Sequence, residues 1–207
     1  MDRAEVGRRI EHTLLRPDAT RADVERTLAD AIAWGCHGVC VQPYWVRALR
    51  DAPLPVVSIA GFPFGADVPA HKAAGAARAV EDGASEIDIV LNLGALKSGD
   101  AAAVAADVRA VRRAIPGKTL KVILETGLLT RAETEQAARI CMGEGADFLK
   151  TCTGYGPRGA TVEDVELLRA FGPVKASAGI RTFDQAAALV AAGAARLGTS
   201  GTAAILR

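Results

Sequence analysis

Short runs rich in Val and Ile alternate with longer Ala-rich stretches along nearly the whole chain, and this alternation constrains the fold more than any other feature. The runs fall at residues 11–15, 38–42, 56–61, 86–92, 120–125, 148–153, 174–177 and 196–199. Most are apolar on both faces and bounded by Gly, Pro or Asp, the pattern of strands covered on both sides. Between them lie residues 21–34, 44–50, 69–82, 100–115, 131–143, 162–171 and 182–192. Apolar spacings of three and four, as in Val24, Leu28, Ile32 and in Val104, Val108, Val111, predict helices there. Thr20 with Asp23, and Thr130 with Glu133, are helix-start signals. Four of the helical stretches stop alike, on Gly35, Gly83, Gly145 and Gly193, each a few residues before a strand. The repeating unit is therefore one strand and one helix in about 26 residues, and 207 residues hold eight of them. Alternating β and α predicts parallel strands, and eight units predict a single-domain (β/α)8 TIM barrel over residues 1–207. The length implies short loops, and the last unit, 202–207, has room for barely one helical turn. An open doubly wound sheet is the structural alternative.

Charge and composition narrow the function. Twenty-five Lys and Arg against 24 Asp and Glu leave a formal charge of +1, which argues against a nucleic-acid partner. No uncharged run of 18 apolar residues occurs, so no membrane span is expected. Met1 to Arg9 is charged with no apolar segment behind it, so no secretory signal is expected. Cys36, Cys40, Cys141 and Cys152 form no C-x-x-C pair and read as reduced thiols of a cytoplasmic protein.

Only 6 Lys stand against 19 Arg, and three of the six, Lys121, Lys150 and Lys175, lie in strand-like apolar runs. Arg never loses its proton, whereas a Lys amine can do so and attack a carbonyl. Strand alternation puts Lys150 with Phe148 and Cys152 on one face, and Lys175 with Ser177. It groups Glu86 with Asp88, and Lys121 with Glu125. If these faces point into the barrel, Lys150 and Lys175 converge from adjacent strands. Two cations close together then lower one amine pKa toward roughly 7–8, where it is nucleophilic. Asp88, across the interior, would balance charge and move protons. The competing reading is that all three are structural ion pairs filling the barrel.

Gly-rich turns late in the chain, at residues 153–156, 178–181 and 198–202, suit close approach of backbone N–H groups to a phosphate, and barrels often hold one after strands 7 and 8. Ordinary tight turns are the alternative. Gly117-Lys118-Thr119 is no P-loop, because the upstream glycine position holds Arg112, and no dinucleotide fingerprint follows a strand. His12, His37 and His71 have no metal-ligand spacing, so neither metal nor other cofactor is expected.

With these residues in place the chain resembles the deoxyribose-phosphate aldolase family from Ile10 to about Ile205. The resemblance is carried, in order, by residues 10–20 (IEHTLLRPDAT), 39–43 (VCVQP), 61–65 (GFPFG), 86–92 (EIDIVLN), 120–126 (LKVILET), 148–154 (FLKTCTG) and 174–181 (VKASAGIR). It implies a (β/α)8 class I aldolase, independent of metal, that reversibly cleaves 2-deoxy-D-ribose 5-phosphate to D-glyceraldehyde 3-phosphate and acetaldehyde. Lys150 matches the Schiff-base lysine, Lys175 the lysine that depresses its pKa, and Asp88 the proton-relaying acid. Thr153, Gly179, Arg181, Gly198 and Ser200 match substrate and phosphate loops. The implied partners are small sugar phosphates and aldehydes, in a barrel that could pair as a homodimer. The chain departs from the family at Glu11 (commonly Asp), Ala178 (commonly Gly) and Gly201 (commonly Ser). The last two are expected to weaken 5-phosphate preference. The chain ends at Arg207 without the Tyr-ending tail of some members, so help from such a tail in proton transfer is not expected. A sugar-phosphate isomerase working by acid–base chemistry, or a phosphate-binding barrel without turnover, are the other readings of the same residues.

Overall fold

The computed structural model describes residues 1–207. Eight strands, β1 Ile10–Leu14, β2 Gly38–Val41, β3 Val56–Ala60, β4 Glu86–Val90, β5 Thr119–Ile123, β6 Phe148–Lys150, β7 Val174–Ser177 and β8 Ala194–Thr199, pair in parallel and in sequence order to close a barrel. The closing pair joins β1 to β8, with Ile10 opposite Leu197. The expected (β/α)8 barrel is therefore the fold.

Ten helices accompany the strands: α1 Arg3–Gly7, α2 Arg21–Ala33, α3 Pro43–Val46, α4 Pro69–Asp82, α5 Leu93–Lys97, α6 Ala101–Ala114, α7 Arg131–Gly143, α8 Val162–Leu168, α9 Phe183–Ala191 and α10 Thr202–Leu206. Local chemistry explains their starts. Thr20, Thr130, Thr161 and Thr182 each form a full capping box with the residue three positions on, satisfying two otherwise unpaired N–H groups. Two short helices depart from the sequence expectation. Asp2 caps α1, which packs on α9 and α10, and Asn92 caps α5. The sixth strand is also shorter than the run 148–153 predicts, because the Thr153 N–H leaves the ladder to donate to the Glu125 carboxylate at 3.2 Å.

The main apolar core lies between strands and helices, from Val39, Ile87, Leu120 and Leu149 to Val104, Val108 and Val111 on α6. One ion pair is sealed into that layer. Lys72 on α4, fully buried, donates to Asp107 on α6 at 2.6 Å and to the Val90 carbonyl at 2.9 Å. Its stem passes so close to Gly61 that a Cβ there would lie 2.8 Å from Lys72 Cε. Inside the barrel Cys40, Val57 and Ile59 form a small apolar cluster, and Val90 and Ile123 turn inward as well. Beside them stand six ionisable side chains, Glu11, Glu86, Asp88, Lys121, Lys150 and Lys175, an unusual share of charge for a fold whose centre is commonly Val, Ile and Leu.

Candidate active site

Three lysines meet one carboxylate at the barrel centre. Asp88, projecting inward from β4 and fully buried, receives Lys150 Nζ at 2.7 Å and Lys175 Nζ at 2.6 Å on the same oxygen, Oδ2. Its other oxygen, Oδ1, receives Lys121 Nζ at 3.0 Å. Lys150 and Lys175 are register partners on β6 and β7, as strand alternation predicts. Lys121 on β5 pairs in register with Phe148, two residues below Lys150, so it occupies a deeper layer. Glu11 on β1 bridges the two cations, bonded to Lys175 Nζ through Oε2 and 3.3 Å from Lys121 through Oε1. Room for Lys175 depends on Gly198, where a Cβ would lie 3.1 Å from Lys175 Cε.

The surroundings divide the three amines. Burial opposes every charge here. Around Lys175 the attraction of Asp88 and Glu11 outweighs burial, so its ammonium is held above the usual lysine range. Lys121 is raised by the same two acids against the same opposition. Lys150 moves the other way: burial is the largest effect and exceeds the pull of Asp88, and Lys175 adds repulsion. Burial thus contributes more than the neighbouring cation on which the sequence argument rests. Asp88 stays well below the usual carboxylate range, its burial overcome by Lys121, Lys150 and Lys175.

Above this layer, at the C-terminal ends of the strands, a cavity of about 810 Å³ opens to solvent. Lys150 lines it together with Thr153, Gly179, Arg181, Gly198 and Ser200. Asp88, Lys121 and Lys175 lie beneath its floor. The structure thus gathers the expected loop residues around one opening with Lys150 at its base. Thr153 lines the wall, but its hydroxyl donates to Glu125 Oε2 and accepts the Tyr155 N–H at 3.0 Å. The turn at Ala178 and Gly179 has φ of 76° at both residues, and the Ala178 carbonyl accepts the Ala160 N–H at 3.1 Å, tying the loops after β6 and β7 together.

Sequence reasoning did not assign roles to Lys121, Glu11, Glu86 or Glu125. For the first three the signal was present in the alternation that found Lys150, since each shares the inward face of its strand. Alternation also groups Glu125 with Lys121, but the chain leaves β5 at Ile123, and Glu125, in a left-handed backbone conformation (φ 53°), bonds Thr153 beside the cavity instead. The carboxylates of the interior are all engaged by lysines, and three of them, Glu11, Glu86 and Asp88, converge on Lys121 Nζ.

The chain matches the DeoC/LacD family aldolase model over residues 9–205. It is 46% identical over 205 residues to a deoxyribose-phosphate aldolase of Thermus thermophilus, covering 95% of this chain and 93% of the relative. It is 43% identical over 212 residues to deoxyribose-phosphate aldolase 1 of Bacillus licheniformis, covering 98% and 95%. Among solved structures, an aldolase called QR15 superposes with a TM-score of 0.94 at 37% identity, covering 98% of this chain and 94% of that one. A deoxyribose phosphate aldolase from Aeropyrum pernix, described as a unique tetramer, superposes with a TM-score of 0.90 at 29% identity, covering 99% and 91%. A closed barrel of parallel strands, a lysine at the base of its open end and this likeness over nearly the full length agree: the chain belongs to the DeoC/LacD family of aldolases and is a lyase.

Proposed function

We propose that the protein is a 2-deoxy-D-ribose 5-phosphate aldolase working through a Schiff base on Lys150. The observation that carries this is the division among the buried lysines: Lys150 alone reaches the open cavity, and its amine is the one pushed below the usual range. A neutral amine there adds to the C1 aldehyde of the open-chain sugar, and loss of water gives an iminium ion. A base takes the proton of the C3 hydroxyl. The C2–C3 bond then breaks, its electron pair moves into the iminium as an enamine, and D-glyceraldehyde 3-phosphate leaves. Protonation of the enamine carbon and hydrolysis release acetaldehyde and restore the amine. Asp88, 2.7 Å from Lys150 Nζ, serves as proton relay through water and as counter-charge to the iminium. Lys175 keeps the nearby site cationic and so favours the neutral form of Lys150. The phosphate, held among Gly179, Arg181, Gly198 and Ser200 with Thr153 shaping the wall, orients the sugar by binding energy spent far from the reacting carbons.

The test is reductive trapping. Incubation with acetaldehyde and EDTA, then borohydride, should ethylate Lys150, read by peptide mass spectrometry, with EDTA making no difference. Lys150→Arg keeps the charge and should abolish both adduct and turnover. A folded protein that gives no adduct at Lys150, or an active Lys150→Arg variant, would refute the covalent mechanism and favour acid–base isomerase chemistry.

A further inference from the structure

The buried charges continue below the site. Lys121, which holds Asp88 Oδ1, also lies 2.5 Å from Glu86 Oε2, and Glu86 Oε1 lies 3.2 Å from His37 Nε2. Glu86 begins β4 and His37 immediately precedes β2, so both stand at the N-terminal rim, opposite the open cavity. One unbroken row of ionisable groups therefore runs from His37, whose side chain is 21% exposed, through Glu86, Lys121 and Asp88 to Lys150.

Stability does not account for this row. An ion pair sealed in a barrel is seldom more stabilising than apolar side chains of equal volume, and apolar side chains usually fill such positions. The row does have an electrostatic consequence. The interior holds three carboxylates, Glu11, Glu86 and Asp88, and three amines, Lys121, Lys150 and Lys175. These six groups cancel when all three amines are cationic, an iminium on Lys150 keeps that sum, and the Arg196 guanidinium on β8 adds one constant positive charge. Without Glu86 the site would hold the iminium with one more unit of positive charge than in the wild type. Lys121 would also have only Asp88 and Glu11 left as partners, and would draw Asp88 away from Lys150.

We propose that Glu86 is a positioning residue for the reaction: by holding Lys121 at the barrel floor, it leaves Asp88 Oδ2 to Lys150 and supplies the third anion that balances the iminium. The proposal rests on Lys150 being the Schiff-base lysine. The other titratable groups facing this interior are Cys40 on β2 and Arg196 on β8, whose guanidinium lies 5.7 Å from the Phe148 ring centroid.

The experiment is the pH dependence of acetaldehyde trapping at Lys150, with steady-state kinetics, in the wild type and Glu86→Gln. Loss of the anion disfavours protonation of Lys150, so the trapping midpoint should fall by roughly half to one pH unit. Loss of Asp88 alignment should lower kcat about tenfold while KM changes far less. A Glu86→Gln protein with the wild-type midpoint and kcat overturns the proposal, whatever its Tm. Should that variant not fold, Glu86→Leu/Lys121→Met removes one charge of each sign. It should keep the wild-type midpoint and still lose about tenfold in kcat through a loosened Asp88, and wild-type kcat in it overturns the proposal. Absence of the Lys150 adduct in the wild type would instead fail the Schiff-base mechanism itself.

Discussion

Lys150 and Lys175 illustrate how one residue type takes opposite states within a single bond network. Both donate to Asp88 Oδ2, at 2.7 and 2.6 Å, yet one amine is pushed below its ordinary range and the other above it. The difference is the partners: Lys175 also has Glu11, whereas Lys150 has Asp88 and the wall of a cavity. Lys175→Leu removes the repelling cation and leaves Glu11 and Asp88 less compensated, and both changes favour protonated Lys150. The acid limb of the pH–rate profile should therefore move to higher pH by about one unit, and an unmoved limb would remove Lys175 from this role. Ala178 poses a separate question of strain. It holds φ of 76°, where an L-residue is disfavoured by roughly 1–2 kcal/mol. Ala178→Gly gives back part of that to unfolded-chain entropy, leaving a gain of about 0.5–1 kcal/mol in denaturant unfolding. It also removes a methyl beside the proposed phosphate loop, so the preference in kcat/KM for deoxyribose 5-phosphate over deoxyribose should rise. An unchanged ratio would show that this methyl does not limit phosphate binding.

Between elements, the tie from α4 to α6 is the contact most exposed to single substitutions. Lys72 is fully buried with one carboxylate partner, Asp107. Asp107→Ala leaves a cation in the apolar layer with only the Val90 carbonyl, and should destabilise the fold by about 3–5 kcal/mol in chemical denaturation. At this scale much was legible beforehand. Helix starts rest on side chains that cap within one turn, and Thr20 and Thr130 cap where they are expected to. What was less legible is where a strand stops being a strand. Residues 151–153 carry the composition of the sixth strand, but a carboxylate from the neighbouring loop captures Thr153 and turns the chain away. That partner is 28 residues away and leaves no local trace.

For the molecule as a whole, the charged interior ties stability to pH. Burial alone would raise the Glu86 carboxyl, but His37 and Lys121 outweigh it and hold it down at about 2. Asp88 is lowered too, against its own burial. A carboxylate whose folded pKa lies below its unfolded value contributes stability above the unfolded pKa and loses it as pH falls toward the folded one. For Glu86 that window runs from its ordinary value of 4.5 down to about 2. Stability should therefore fall by a few kcal/mol across that range, and Glu86→Gln should flatten the fall. An acid transition identical in both proteins would place the pH sensitivity elsewhere.

The sequence by itself determined the order of the eight strands and the main helices between them, the eightfold alternation that closes a barrel, and the shared inward faces on which Asp88, Lys121, Lys150 and Lys175 lie. Those properties are written in spacings of two, three and four residues and in caps that act within one turn, so they need no knowledge of distant neighbours. Only the tertiary structure decided depth. Lys121, Lys150 and Lys175 occupy similar apolar runs, but the stagger of closed strands sets Lys121 one layer lower, beside Glu86, and brings Lys150 alone to the open cavity. Stagger is a property of the ring of strands taken together, because each register is set by its neighbours and by closure of β8 on β1. Burial and the nearest opposite charge, which set the state of each amine, follow from that depth.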